Sequence, residues 1–204
     1  MSLRRFWTDQ SGASAAEFAL MVPLMLLFLF GIMDVGQFAW RINQGEKATQ
    51  MGTRLAVVTD PVASGLTTES YVGKVVGGTT LSQGDIIPAA ALGQITCTSA
   101  SCTCTTTPCP GTLGYDTAGF SRIVARMAAM DPRIKAGDVR VEYSGSGVGY
   151  AGDPSGMEIA PLTTVKVSGM KYTPFTFLLF NTTIDLPSFS YSLTMEDGSG
   201  SVSN

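Results

Sequence analysis

Residues 18–33, FALMVPLMLLFLFGIM, run 16 positions without a charge, and small residues at 13–16 extend the stretch backwards past one carboxylate, Glu17. Counted over residues 13–33 the segment has 21 residues and as a helix is about 31 Å long, which matches the hydrocarbon thickness of a bilayer. The pattern predicts one membrane span, drawn over about residues 13–40 because Trp40 suits the outer interface, where an indole ring is favoured. Residues 35–59 contain no Pro, and Val35, Phe38, Ala39, Ile42, Ala48, Met51, Leu55 and Val58 recur close to helical spacing. The helix is therefore expected to continue to Thr59 and to stop ahead of Pro61, since the residue before a proline is pushed out of the helical region. Gly45 and Gly52 read as weak points in it, each costing about 1 kcal/mol relative to Ala. Pro23 removes the hydrogen bond to the Ala19 carbonyl and is expected to kink or loosen the span.

Beyond Pro61 the pattern changes. Residues 120–130, FSRIVARMAAM, predict a short amphipathic helix that starts near Asp116 or Thr117 and ends at Asp131 and Pro132, with Ile123, Met127 and Met130 facing a sheet. Alternating or β-branched runs at 139–145, 163–172 and 187–196 predict three antiparallel strands. The fold class expected is α+β: a long N-terminal transmembrane helix followed by a small antiparallel-sheet domain with a short helix. The Gly-rich stretch 145–156 reads as a mobile hairpin loop; it lacks the strand, helix and Lys that a phosphate-cradling loop needs.

Composition narrows the function. Charged residues make up 14% of the 204 positions, well below the roughly 25% of an ordinary soluble protein. Net charge is −3 with no basic block, so nothing supplies the stripe that neutralises phosphates, and no nucleic acid partner is expected. Histidine is absent, which removes the commonest metal ligand and general base. No enzyme and no cofactor are expected. Among the acids Asp138, Glu142, Asp153 and Glu158, spacing nominates no catalytic pair.

Arg4 and Arg5 precede the span with only Asp9 against them, so the N-terminal tail is expected in the cytoplasm and the rest of the chain outside. No pair of small residues suited to signal cleavage follows the apolar run, so the span is expected to stay with the mature chain. Cys97, Cys102, Cys104 and Cys109 fall in a Thr/Ser/Pro-rich loop, 97–109, in the order C-x4-C-x-C-x4-C. In an oxidising compartment these read as disulfides: nearest-neighbour pairing is the symmetric choice, though three connectivities exist. A thiolate metal site is the alternative, against which stands the lack of paired C-x-x-C knuckles. No metal is expected.

Glu17 needs a physical reason, because a charged group inside a span costs about 2.5–3.5 kcal/mol on insertion scales. The plain reading is snorkelling to the cytoplasmic interface, only about a turn away; the surroundings of Glu17 point to another. Gly12 lies five residues before it, Phe18 follows, and a leader with two Arg comes first; Ala19, Leu20, Pro23, the Leu/Phe run, Gly31 and Asp34 then follow in fixed order. Over roughly residues 10–57 this resembles the type IV prepilin class, and specifically the TadE-like pseudopilin family of Tad (Flp) pilus assembly systems. Ala16 stands where the family usually has Val, and Asp34 where Glu is common.

The resemblance implies a pilin-like fold and cleavage between Gly12 and Ala13 by a prepilin peptidase, with Glu17 and Phe18 completing the processing site. Removing 12 of 204 residues leaves 192. The new Ala13 ammonium and the Glu17 carboxylate then lie four residues apart on one helix face, where they can pair within a subunit or between neighbours. Glu17 and Pro23 are the expected assembly contacts. The implied organisation is a cytoplasmic leader at 1–12, a helix at 13–60 and an extracytoplasmic domain at 61–204. The expected function is that of a pseudopilin or minor pilin-like subunit in the bacterial inner membrane, single-pass, with a periplasmic C-terminal domain. Its partners would be the membrane, the peptidase and other pilins of a Tad system, in an oligomer or filament on the cell surface. The alternatives are a membrane-tethered binding domain without an assembly role and a hydrolase. The apolar run PFTFLLF at 174–180, which the resemblance reaches only faintly, is expected in the core; its other reading is a patch resting on the membrane or on a partner pilin.

Overall fold

A computed structural model describes residues 12–176, 181–195 and 198–200. In chain order the elements are α1 (Ala13–Val58), β1 (Val75–Val76), β2 (Thr79–Thr80), β3 (Gln94–Cys97), β4 (Cys102–Thr106), α2 (Thr117–Ala128), β5 (Val139–Ser144), β6 (Leu162–Val167), β7 (Lys171–Tyr172), β8 (Ile184–Asp185) and β9 (Phe189–Thr194), with single 3-10 turns at Ser64–Thr67, Ala89–Ala91 and Ala136–Asp138. This is the α+β arrangement expected. The described residues divide into two compact units, one made of those within Met1–Arg41 and Lys171–Asp185, the other of those within Ile42–Met170 and Leu186–Asn204.

In the first unit, α1 as far as Arg41 is bare over its apolar run. Phe18, Leu20, Met21, Leu24, Phe28 and Ile32 are each more than half exposed, whereas Asp34 is buried. Such an inverted surface suits hydrocarbon rather than water, and the helix is long and apolar enough to cross a membrane. The helix is unbroken through Pro23. The remainder of this unit is a hairpin in which β7 and β8 pair antiparallel, with Lys171 opposite Asp185 and Tyr172 opposite Ile184.

The second unit is built on a five-stranded sheet in the order β4-β3-β5-β6-β9, antiparallel throughout. Alternation makes its core. Val139, Val141 and Tyr143 on β5 point inward with Thr163, Val165 and Val167 on β6, and Ile95 and Cys97 on β3 join them. The C-terminal part of α1 buries one stripe, Ala48, Thr49, Gly52, Thr53 and Ala56, at spacings of three and four. Thr53 Oγ1 donates to the Tyr191 carbonyl of β9 at 3.1 Å. The glycines within this stripe are close-packing points. A Cβ on Gly45 would lie 2.6 Å from Cδ2 of Phe189, and one on Gly52 would lie 2.7 Å from Cγ and Sδ of Met127. They are weak in helix propensity and necessary for helix approach, a role the sequence pattern alone did not assign.

Helix α2 begins where the capping residue predicts. Asp116 is its N-cap, with the carboxylate accepting the Ala118 N–H at 2.9 Å. Phe120, Ile123 and Met127 are buried, but Met130 lies beyond the last turn and is 38% exposed, so it does not belong to the sheet-facing stripe.

Two strand expectations need correction. The run 163–172 is not one strand: β6 ends at Val167, and β7 belongs to a separate hairpin. Gly169, at φ +81°, turns the chain between them, a conformation that side-chain-bearing residues rarely adopt. Residues 97–109 are not merely a loop either, because β3 and β4 form a hairpin there and add two strands to the three expected. The Gly-rich stretch does join the antiparallel neighbours β5 and β6, and is tied down by isolated bridges Ile86 to Tyr150 and Gly149 to Ile159.

Candidate functional site

The N-terminal motif is presented on one exposed helix end. Gly12 immediately precedes α1 and is exposed, with no other group within 4 Å of where a side chain would start. Ala13 is the first residue of α1, and Glu17 and Phe18 follow after one turn. Phe18 is 71% exposed. Glu17 is exposed and makes no hydrogen bond or ion pair among the described residues, and Pro23 is exposed on the same helix. The structure thus places Ala13, Glu17 and Phe18, expected with Gly12 to form a processing site, on the first two turns of α1 directly after Gly12, while Pro23 lies further along. The leader residues 1–11, including Arg4, Arg5 and Asp9, lie outside the described residues.

The other carboxylate of the apolar segment has the opposite surroundings. Asp34 directly follows the uncharged run, and its side chain collects donors from the hairpin segment. Oδ1 accepts the Phe175 N–H at 2.5 Å and the Tyr172 hydroxyl at 3.2 Å; Oδ2 accepts the Thr176 N–H at 3.1 Å and the Thr176 hydroxyl at 2.8 Å. The Tyr172 ring also meets Phe38, one turn further along α1, edge to face at 5.7 Å between centroids. Sequence reading placed Asp34 only as an acidic position in the motif and missed this cluster. The available signal was a lone carboxylate in an apolar helix, which must find donors somewhere. Within the run 174–180, Phe175 is 52% exposed, so the core expectation fails at that residue; positions 177–180 lie outside the described residues.

The cysteine sulfurs stand at bonding distance in nearest-neighbour pairs, Cys97 with Cys102 at 1.95 Å and Cys104 with Cys109 at 2.11 Å. Cys97 and Cys102 are direct cross-strand partners in the β3–β4 hairpin. Among the described residues no group of three or more His, Cys, Asp or Glu is arranged to hold a metal ion.

The four acids weighed from sequence each have local structural partners. Asp138 accepts the Lys135 N–H at 3.0 Å, and Asp153 accepts the Ser155 N–H at 2.8 Å. Glu142 pairs with Lys166 at 2.8 Å and accepts from Gln94 at 2.9 Å. Glu158 accepts the Tyr71 N–H at 2.7 Å and the Ser70 hydroxyl at 2.9 Å. Burial by itself would raise the Glu158 carboxyl, but backbone N–H groups of Gly152 and Tyr71, the Ser70 hydroxyl and the Lys74 ammonium outweigh it and hold the group below the usual carboxylate range.

The sequence model of the family described as TadE-like protein matches residues 12–54. No curated protein and no solved structure matches the chain. The matched stretch opens at Gly12, the residue before α1, and takes in the exposed apolar run, Glu17 and Asp34. Over residues 12–54, then, this chain carries a TadE-like segment.

Proposed function

We propose that the chain is a pseudopilin or minor pilin-like subunit of a Tad (Flp) pilus system. Its leader, 1–12, is removed by a prepilin peptidase between Gly12 and Ala13; its helix, 13–60, spans the bacterial inner membrane over about residues 13–40; and its remainder, 61–204, lies in the periplasm. The role is structural. The subunit packs against other pilins through its N-terminal helix, with Glu17 as the charged contact and Pro23 nearby, in the membrane or in a surface filament. The observation that carries this reading is the TadE-like match beginning at Gly12, on a helix end where Gly12, Glu17 and Phe18 all stand exposed. A glycine at the cut lets a membrane-surface peptidase approach the backbone without a side chain in the way. The bonded cysteine pairs suit an oxidising compartment such as the periplasm.

N-terminal sequencing of the protein isolated from its native host tests the reading. It should begin at Ala13, and the Gly12→Leu variant should migrate as an unshortened band. A mature chain that keeps Met1, or that lacks the whole apolar segment, would falsify the proposal. Intact pili after deletion of the gene would leave the tethered binding domain as the better account.

A further inference from the structure

We infer that the chain touches the bilayer twice: through α1, and through a foot at residues 172–176 that Asp34 fastens to α1 and from which Phe175 enters the outer-leaflet interface. The inference rests on the membrane reading above. The uncharged run ends at Met33, so Asp34 stands where hydrocarbon gives way to headgroups. Each interfacial layer is about 5–7 Å deep. Along α1 the hairpin contacts reach from Asp34 to Phe38, four residues or about 6 Å, which places them within that layer.

The chemistry fits the level. Backbone N–H groups of Phe175 and Thr176 would be costly to leave unpaired near hydrocarbon, and the Asp34 carboxylate takes both. The Phe175 N–H is held at 2.5 Å while the residue remains 52% exposed. An anchored backbone with a bare aromatic ring is suited to an interface, and Trp40, 53% exposed with Arg41 over it at 5.2 Å, stands about 9 Å beyond Asp34, just past the aqueous edge of that layer. The occupant is lipid rather than a protein groove because Asp34, which holds the foot, belongs to a helix segment that is itself bare: Ile32, Met33 and Val35, flanking it in sequence, are 55%, 50% and 70% exposed.

The test uses the oxidised full-length chain in vesicles of phosphatidylethanolamine and phosphatidylglycerol. With the four native cysteines paired, an environment-sensitive fluorophore can be placed by Phe175→Cys, Phe28→Cys or Val75→Cys. A lipid nitroxide located just below the headgroups should quench the label at 175 at least twofold more than the label at 75, with a blue-shifted emission. Asp34→Ala should bring the label at 175 down to the level of the label at 75 and leave the label at 28 quenched; Thr176→Val, which removes one donor and keeps the shape, should give a partial loss. A label at 175 that behaves like the label at 75 while position 28 is quenched overturns the foot and leaves the span standing. Quenching at 175 that survives Asp34→Ala overturns the fastening role of Asp34. If position 28 is not quenched, the span itself is wrong and the foot goes with it.

Discussion

Glu158 shows how one side chain ties together parts of the second unit that are far apart in sequence. It accepts hydrogen bonds from the Ser70 hydroxyl and the Tyr71 N–H, 88 and 87 residues earlier in the chain. Its carboxyl is held below the ordinary range in the folded state, because donors and Lys74 outweigh burial. Protonation is therefore easier in the unfolded chain. The stabilisation is fully present above the unfolded value, about 4.3, and is lost as pH falls through the lower folded value. Urea midpoints of the detergent-solubilised chain should drop as pH is lowered through and below about 4.3. Glu158→Gln should lower the midpoint at pH 7 and flatten that drop. An unchanged slope would mean that other carboxylates dominate the acid response. Nothing in the local sequence GMEIA announces this role, since the Ser70 and Tyr71 donors arrive through the tertiary fold.

At the level of elements, legibility followed the strength of the local signal. Helix α1 was readable almost to its last residue, Val58 against an expected Thr59, because apolar spacing and Pro61 both mark it. Helix α2 was readable because Asp116 caps it and Pro132 follows its end. The β3–β4 hairpin was not. β4 is an edge strand whose residues are exposed or nearly so, so it carries no alternating apolar face, and its Thr and Cys residues resemble a loop. The two glycines of α1 are only half legible for a related reason, since helix propensity records only the local half of their effect. Gly45→Ala gains about 1 kcal/mol of propensity, yet its Cβ meets the buried Phe189 ring, an overpacking that costs about 1–3 kcal/mol. Net destabilisation of up to about 2 kcal/mol is expected, read as a lower urea midpoint. Gly52→Ala should be milder, since it presses on Met127, whose thioether side chain can shift. A stabilised Gly45→Ala chain would show that the ring moves aside freely.

For the molecule as a whole, the two acids of the apolar segment divide the labour of the candidate site, and only one was legible. The Glu17 motif is contiguous, so the sequence carries it entire. The partners of Asp34 lie 138 to 142 residues downstream, beyond the reach of any local pattern. The contrast bears on assembly. Asp34 is satisfied within its own chain, whereas Glu17 is exposed and makes no ion pair among the described residues. In a bilayer an unpaired carboxylate is unfavourable, and if the leader is removed as proposed, the nearest cation along the helix is the Ala13 ammonium, of its own subunit or of a neighbour. If neighbours supply it, Glu17→Gln keeps the shape and the hydrogen-bonding capacity but removes the attraction. Membrane insertion and processing should then be unchanged, while filament number, counted by electron microscopy, should fall at least tenfold, the effect of about 1.4 kcal/mol per subunit contact. A pairing confined to one subunit predicts the reverse pattern, with piliation preserved and only the stability of the helix terminus reduced. Full piliation in Glu17→Gln would therefore separate the charge from assembly, and would leave apolar packing of α1 as the force that gathers subunits.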